Sequence, residues 1–193
     1  MDSHRNALWR LIAFAVAANV LIIVICLVLL GWNQEGAGAA TRNTARFAIA
    51  FFLAGFAAPG ARRWFEWWPE PAVLLQTFVA AQFVHFAAVV LLHTTFSPDG
   101  LQLGAGQVAV VIVGFSIVAG LGATATMKPG HALRRIMHLM LVYLIFLILA
   151  ADYSQHPVKV LRWMMAPIVL ALILRHVPRK RSKRQNRLEA TAG

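Results

Sequence analysis

Acidic residues are scarce here: seven Asp and Glu stand against 18 Lys and Arg in 193 residues, for a net charge of +11. Cysteine occurs once, at Cys26, and tyrosine twice. One cysteine excludes an intrachain disulfide and a cysteine-built metal cluster. It also leaves the redox compartment open. Charged residues make up 13% of the chain and the hydrophobic set 60%, a balance that excludes an ordinary soluble domain of this length. What is present instead is a series of apolar blocks of about twenty residues, the length a helix needs to cross about 30 Å of hydrocarbon. Lipid offers no partner to a free backbone N–H or C=O, so these blocks read as helices. The fold class expected is therefore all-α, a polytopic membrane protein built as a six-transmembrane-helix bundle.

The spans run over about 8–32, 44–64, 71–96, 101–127, 131–153 and 157–177. Trp9 and Trp32 bracket the first as interfacial anchors. Met1 to Arg5 gives it a positive flank, and 32–38 contains no convincing cleavage site, so it reads as a retained helix rather than a signal peptide. The connections are short, which makes consecutive helices antiparallel neighbours. The exception is 33–43, whose Gly and Ala content reads as a flexible loop. Residues 1–177 form the transmembrane domain, and 178–193 form a basic tail expected to be disordered. Six spans put both termini on one side. Fourteen of the 18 Lys and Arg then share that side, which places both termini in the cytoplasm of a bacterial inner membrane. The positive charge lies at helix ends and in the tail (Arg179 to Arg187), where anionic lipid explains it and nucleic acid is not required. Trp64, Phe65, Trp67 and Trp68 beside Arg62 and Arg63 read as an interfacial belt.

The fourth span carries Gly106, Gly114, Gly120 and Gly122. Small residues let helices approach closely in lipid, and Gly114 has the second reading of clearing space for a flat cofactor. The histidines are more telling. His4, His176, His156 and His131 are terminal, interfacial or in loops. His85 and His138 lie inside apolar helices, where an imidazole is costly unless something binds it. Gln82 is placed near the face of His85 to give a hydrogen bond. Arg134 precedes His138 by one turn, where a propionate would find a cation. Neutral imidazole is a suitable axial ligand, and two of them give six-coordinate iron suited to electron transfer. A packed, hydrogen-bonded histidine or a proton path is the alternative account of each. His93 is about 80° around the third helix from His85 and is a weaker candidate for a proton or quinone contact.

The segment Ala80-Ala81-Gln82-Phe83-Val84-His85, in the third of six helices, is similar to the first histidine motif of the ferric-reductase-like transmembrane superfamily. Thr126 to Tyr143 resembles that superfamily's pattern of a polar turn, a basic pair, a histidine and an aromatic five positions later. The superfamily includes the haem subunit of the bacterial methionine sulfoxide reductase system, ferric reductases and NADPH oxidases. The resemblance implies one haem b between the third and fifth helices, with His85 and His138 as its metal ligands. Arg134 or Arg135 would hold a propionate, and Gln82 would tune the site. Many members carry a further histidine about four turns after each of these two. The corresponding places here hold Asp99 and Ala151, so the second haem is not implied. Nothing after the sixth helix resembles a flavin- or nicotinamide-binding domain, and any oxidoreductase activity would be that of a subunit.

The function expected is thus an integral-membrane haem b protein in electron transfer, with a quinone or a redox protein as its partner. The alternative is a cofactor-free membrane protein, a small transporter-like, assembly or partner-binding subunit. One geometric condition decides between them. His85 is 14 residues past Pro71 and His138 is 7 past His131, or about 21 and 10 Å along their helices. Two ligands of one iron must sit at similar depth, so helix tilt has to absorb that gap.

Overall fold

The computed structural model describes residues 2–96, 105–126, 132–155, 163 and 165–176. The basic tail, the anionic-lipid contact expected of it and most of the outer part of the sixth span lie outside the described residues. The regular elements among the described residues are all helices, with no strand. Its six helices are α1 (Asp2–Leu30), α2 (Gln34–Ala61), α3 (Pro71–Phe96), α4 (Ala105–Thr126), α5 (Ala132–Gln155) and α6 (Met165–His176).

Four of them are long and apolar enough to cross a membrane: α1 over Asn6–Leu30, α2, α3, and α5 over Arg134–Ala151. Ile112–Thr124 of α4 and Met165–His176 of α6 are shorter apolar helices. The surface fits a membrane protein, because large apolar side chains cover it. Leu29, Leu91, Ile112, Met140 and Leu147 are all more than half exposed. A water-soluble monomer does not present apolar area on that scale.

The largest departure from the sequence reading is at 33–43, expected as a flexible loop and in fact the first turns of α2. Gly31 ends α1 with φ +94°, a conformation open to glycine. Asn33 then caps α2, its Oδ1 accepting from the backbone N–H of Glu35 at 2.9 Å and of Gly36 at 3.1 Å. Such a cap satisfies donors that the first turn of a helix leaves open. Alanine is the strongest helix former, so a segment rich in Gly and Ala continues as helix once capped. Gly36 sits against the Gly31 carbonyl, where a side chain would collide. At its other end α2 stops at Ala61, three residues short of the expected end, and turns lead through Arg62 to Trp68.

α2 is the hub. It packs against α1, α3 and α6, while α3, α4, α5 and α6 pack in succession. Helices α2 to α6 therefore close a ring, and α1 lies outside against α2 and α3. The buried face of α2 is mostly small: Ala37, Ala40, Ala48, Ala57, Ala58 and Ala61. Such residues let backbones meet closely where packing, not hydrophobicity, drives association. The closest approach is at Gly60, where an added Cβ would run into the Leu174 carbonyl of α6. One turn back, the Phe56 carbonyl accepts from Arg175 Nη1 at 2.7 Å. The Arg175 guanidinium lies over both the Phe56 ring (4.5 Å) and the Tyr143 ring (5.0 Å). Phe56 also stacks on Phe146 at 4.3 Å. These contacts tie α2, α5 and α6 together at the end of the bundle that carries Arg62, Arg63, Arg134, Arg135 and Arg175, called here the basic end.

The Gly60 contact predicts that Gly60→Ala destabilises the protein by about 1–3 kcal/mol, since a backbone carbonyl cannot swing aside. Gly114→Ala, where an added Cβ meets nothing within 4 Å, should leave stability nearly unchanged. Thermal unfolding of the two variants in detergent, followed by far-UV circular dichroism, makes the comparison.

Candidate functional site

Both intramembrane histidines are held in the same way. His85 Nδ1 lies 3.1 Å from the hydroxyl of Thr44 on α2, and His138 Nδ1 lies 3.1 Å from the hydroxyl of Thr124 on α4. Each hydroxyl also reaches back to its own helix. Thr44 Oγ1 is 3.0 Å from the carbonyls of Ala40 and Thr41, and Thr124 Oγ1 is 2.9 Å from that of Leu121. A carbonyl only accepts, so the single hydroxyl proton points at it. The ring must then be the donor to the threonine oxygen. With the hydroxyl proton on the carbonyl, each imidazole is the Nδ1–H tautomer, which leaves Nε2 as its acceptor nitrogen. A tautomer held by a partner on the other nitrogen is how proteins prepare an imidazole to accept a proton or bind a metal.

The two rings do not, however, meet. On the seam between α3 and α4, an added Cβ at Gly122 would lie 3.2 Å from Val79. On the seam between α4 and α5, Gly120 faces Leu141 in the same sense, and Thr124 bonds His138. Two residues beyond Gly122, Thr124 is therefore level with about residue 77 of α3. His85 is eight residues further along α3, about 12 Å away along the axis. The stacking of Phe56 on Phe146 sets His138 still nearer the basic end. Direction separates the rings as well. His85 shares its stripe with the buried Ala81, Ala88 and Leu92 and bonds α2, while His138 bonds α4. The close contacts of α4 with α3 at Gly122 and with α5 at Gly120 set this register. The expected ligation of one haem by His85 and His138 would have to close that separation.

The gap expected between α3 and α5 does exist. A half-open cavity of about 280 Å³ lies between α2, α3, α4 and α5. Phe78, Gln82 and Phe86 line it from α3, Gly114 from α4, and Ile145 and Leu149 from α5. Among the described residues Gln82 supplies the one polar side chain of the lining, and neither His85 nor His138 belongs to it. Gly114 faces open space, as its space-clearing reading expected.

The other expected site residues fall elsewhere. Arg134 donates through Nε to the Thr124 carbonyl at 2.8 Å, closing the last turn of α4. Arg135 is exposed. His93 is half-buried and lines neither this cavity nor the groove beside it. Among the described residues no group of three or more His, Cys, Asp or Glu could hold a metal ion.

Three features escaped the sequence reading. Thr44 and Thr124 are the histidine partners, yet a threonine in an apolar helix can satisfy itself on the preceding turn and so gives no signal. Asn19 of α1 is fully buried and donates to the Ala15 carbonyl at 3.0 Å, while its Oδ1 has no partner among the described residues. An asparagine in the middle of the first apolar block was a legible signal of this kind. The tertiary seam that buries it was not. No protein-family model, curated protein or solved structure matches this chain.

The tautomer assignment is testable by nitrogen-15 NMR of labelled histidine. In the unsubstituted protein His85 and His138 should appear as neutral Nδ1–H rings. Thr44→Val and Thr124→Val should each shift one ring, and only that ring, toward mixed tautomers, with a stability loss of about 1 kcal/mol per site.

Proposed function

We propose that the chain is an integral membrane protein of a bacterial inner membrane, with both termini cytoplasmic, that binds a hydrophobic small molecule inside its helical ring. The topology is supported by the gathering of Arg62, Arg63, Arg134, Arg135 and Arg175 at one end. The cavity carries the functional reading: it is apolar, it lies between helices, and it holds a single hydrogen-bonding side chain, Gln82. Few polar groups in an apolar hollow is the usual composition of a small-molecule site.

This reading is offered in place of a haem shared by His85 and His138, whose helix positions differ by about 12 Å in level. It keeps the electron-transfer expectation only where the ligand is itself redox-active, as a quinone is. His85 and His138 then serve as hydrogen-bonded imidazoles in the α2–α3 and α4–α5 seams. Gln82 orients the bound head.

The experiment is to purify the protein from membranes in mild detergent, extract it with organic solvent and identify what co-purifies by mass spectrometry, with a visible spectrum taken beforehand. A near-stoichiometric apolar ligand is expected, retained by His85→Ala. Gly114→Leu should release it by filling the open space at Gly114, with the helical signal unchanged. A Soret band lost in both His85→Ala and His138→Ala would overturn the proposal in favour of haem.

A further inference from the structure

The cavity has a neighbour. Between α3 and α4, toward the end away from the basic residues, lies a groove of about 730 Å³ on the apolar surface. Val90 and Leu91 line it from α3 and Ile112 from α4, all more than half exposed. Phe86 lines both the groove and the inner cavity. Its ring lies 5.9 Å from that of Phe115, which in turn meets Phe83 at 5.1 Å. Across the α4 segment 112–118 the residues divide, with Ile112, Phe115 and Ser116 facing the groove and Gly114, Ile117 and Val118 facing the cavity. One wall thus serves two spaces, and Phe86 stands between them.

From this geometry we infer that the ligand is a chain-bearing amphiphile with a compact, uncharged head. The head occupies the inner cavity against Gln82, and the chain runs past Phe86 into the α3–α4 groove. The inference rests on the cavity reading above and extends it to the ligand class and the route of entry.

Three observations select the class. The α3 lining runs from Phe78 to Phe86, which includes the midpoint of Pro71–Phe96, so the head lies near mid-bilayer. Among the described residues no charged one lines either space, and a charged head held there without a partner would meet a large desolvation cost. A phospholipid phosphate is excluded on both counts. The Gln82 amide can donate to a carbonyl, and a quinone head carries carbonyls without charge. The groove, in turn, is open to lipid along exposed residues, as a long apolar chain requires. Entry from the bilayer then passes Phe86, which lines both spaces and meets Phe115.

The test uses the full-length protein in nanodiscs, with decylubiquinone and the chainless 2,3-dimethoxy-5-methylbenzoquinone as probes and native mass spectrometry as the readout. Decylubiquinone should bind one per protein. Val90→Trp, and independently Ile112→Trp from the opposite wall, should weaken it at least tenfold while leaving the chainless quinone unchanged. Gly114→Leu should abolish both. Circular dichroism melting confirms that each variant is folded. If both tryptophan variants bind decylubiquinone as the unsubstituted protein does, the route is wrong while the cavity stands. If neither quinone binds and a phospholipid is retained in a Gly114-dependent way, the head class is wrong. If nothing binds in a Gly114-dependent way, the cavity reading itself fails.

Discussion

The close approach of α2 to its neighbours is the constraint from which the other contacts follow. In lipid the apolar side chains gain nothing by leaving their surroundings for one another, so helices hold together by fit and by hydrogen bonds. A face of alanine and glycine gives α2 that fit. Gly60 lets the α6 backbone come in until Arg175 reaches the Phe56 carbonyl. Gly55 admits Leu74 and Leu75 of α3, with the nearest side-chain atom 3.0 Å from an added Cβ. Pro59 removes one backbone donor from the last turns of α2, in the stretch where α6 makes its closest approach. A hub of this kind fixes register on both sides at once. Fixed register then decides which residues can meet across the ring.

That is why the helices were legible and the site was not. Apolar blocks of about twenty residues mark helices almost regardless of tertiary structure, and α3 was expected at its observed bounds, Pro71–Phe96. The segment 33–43 was misread because Gly and Ala serve equally in loops and in tightly packed helices. The Asn33 cap, visible as an Asn ahead of an Ala-rich run, was the deciding signal. Axial register is a different matter. It depends on which small residue faces which large one, as Gly122 faces Val79 and Gly120 faces Leu141. Span lengths do not carry that information. The sequence therefore supported two histidines at membrane depth and left their separation to an assumption about tilt.

The interior of the ring follows from the same packing. Toward the basic end it is filled by aromatic rings, with Phe52 against Phe78 at 5.2 Å and Phe56 on Phe146 at 4.3 Å. Beyond them the lining of α4 falls to Gly114, and no side chain from that position closes the space. The cavity is what remains when wide residues occupy one level of the ring and a glycine occupies the next. Gln82 lines the same hollow from α3. A polar group facing an apolar hollow gains a hydrogen bond only from what occupies it.

The histidines illustrate the limit of the argument from burial. An imidazole in an apolar helix must have a partner, and each here has one. The partner is a threonine whose own proton is spent on its helix, which makes the threonine an acceptor and the ring a donor. The rule of obligatory pairing thus held for both residues, but it says nothing about what kind of group the partner is. A metal, a propionate-bearing cofactor and a neighbouring hydroxyl all satisfy it. Only the position of the second group, set by helix register, tells them apart. At His85 and His138 that position belongs to Thr44 and Thr124.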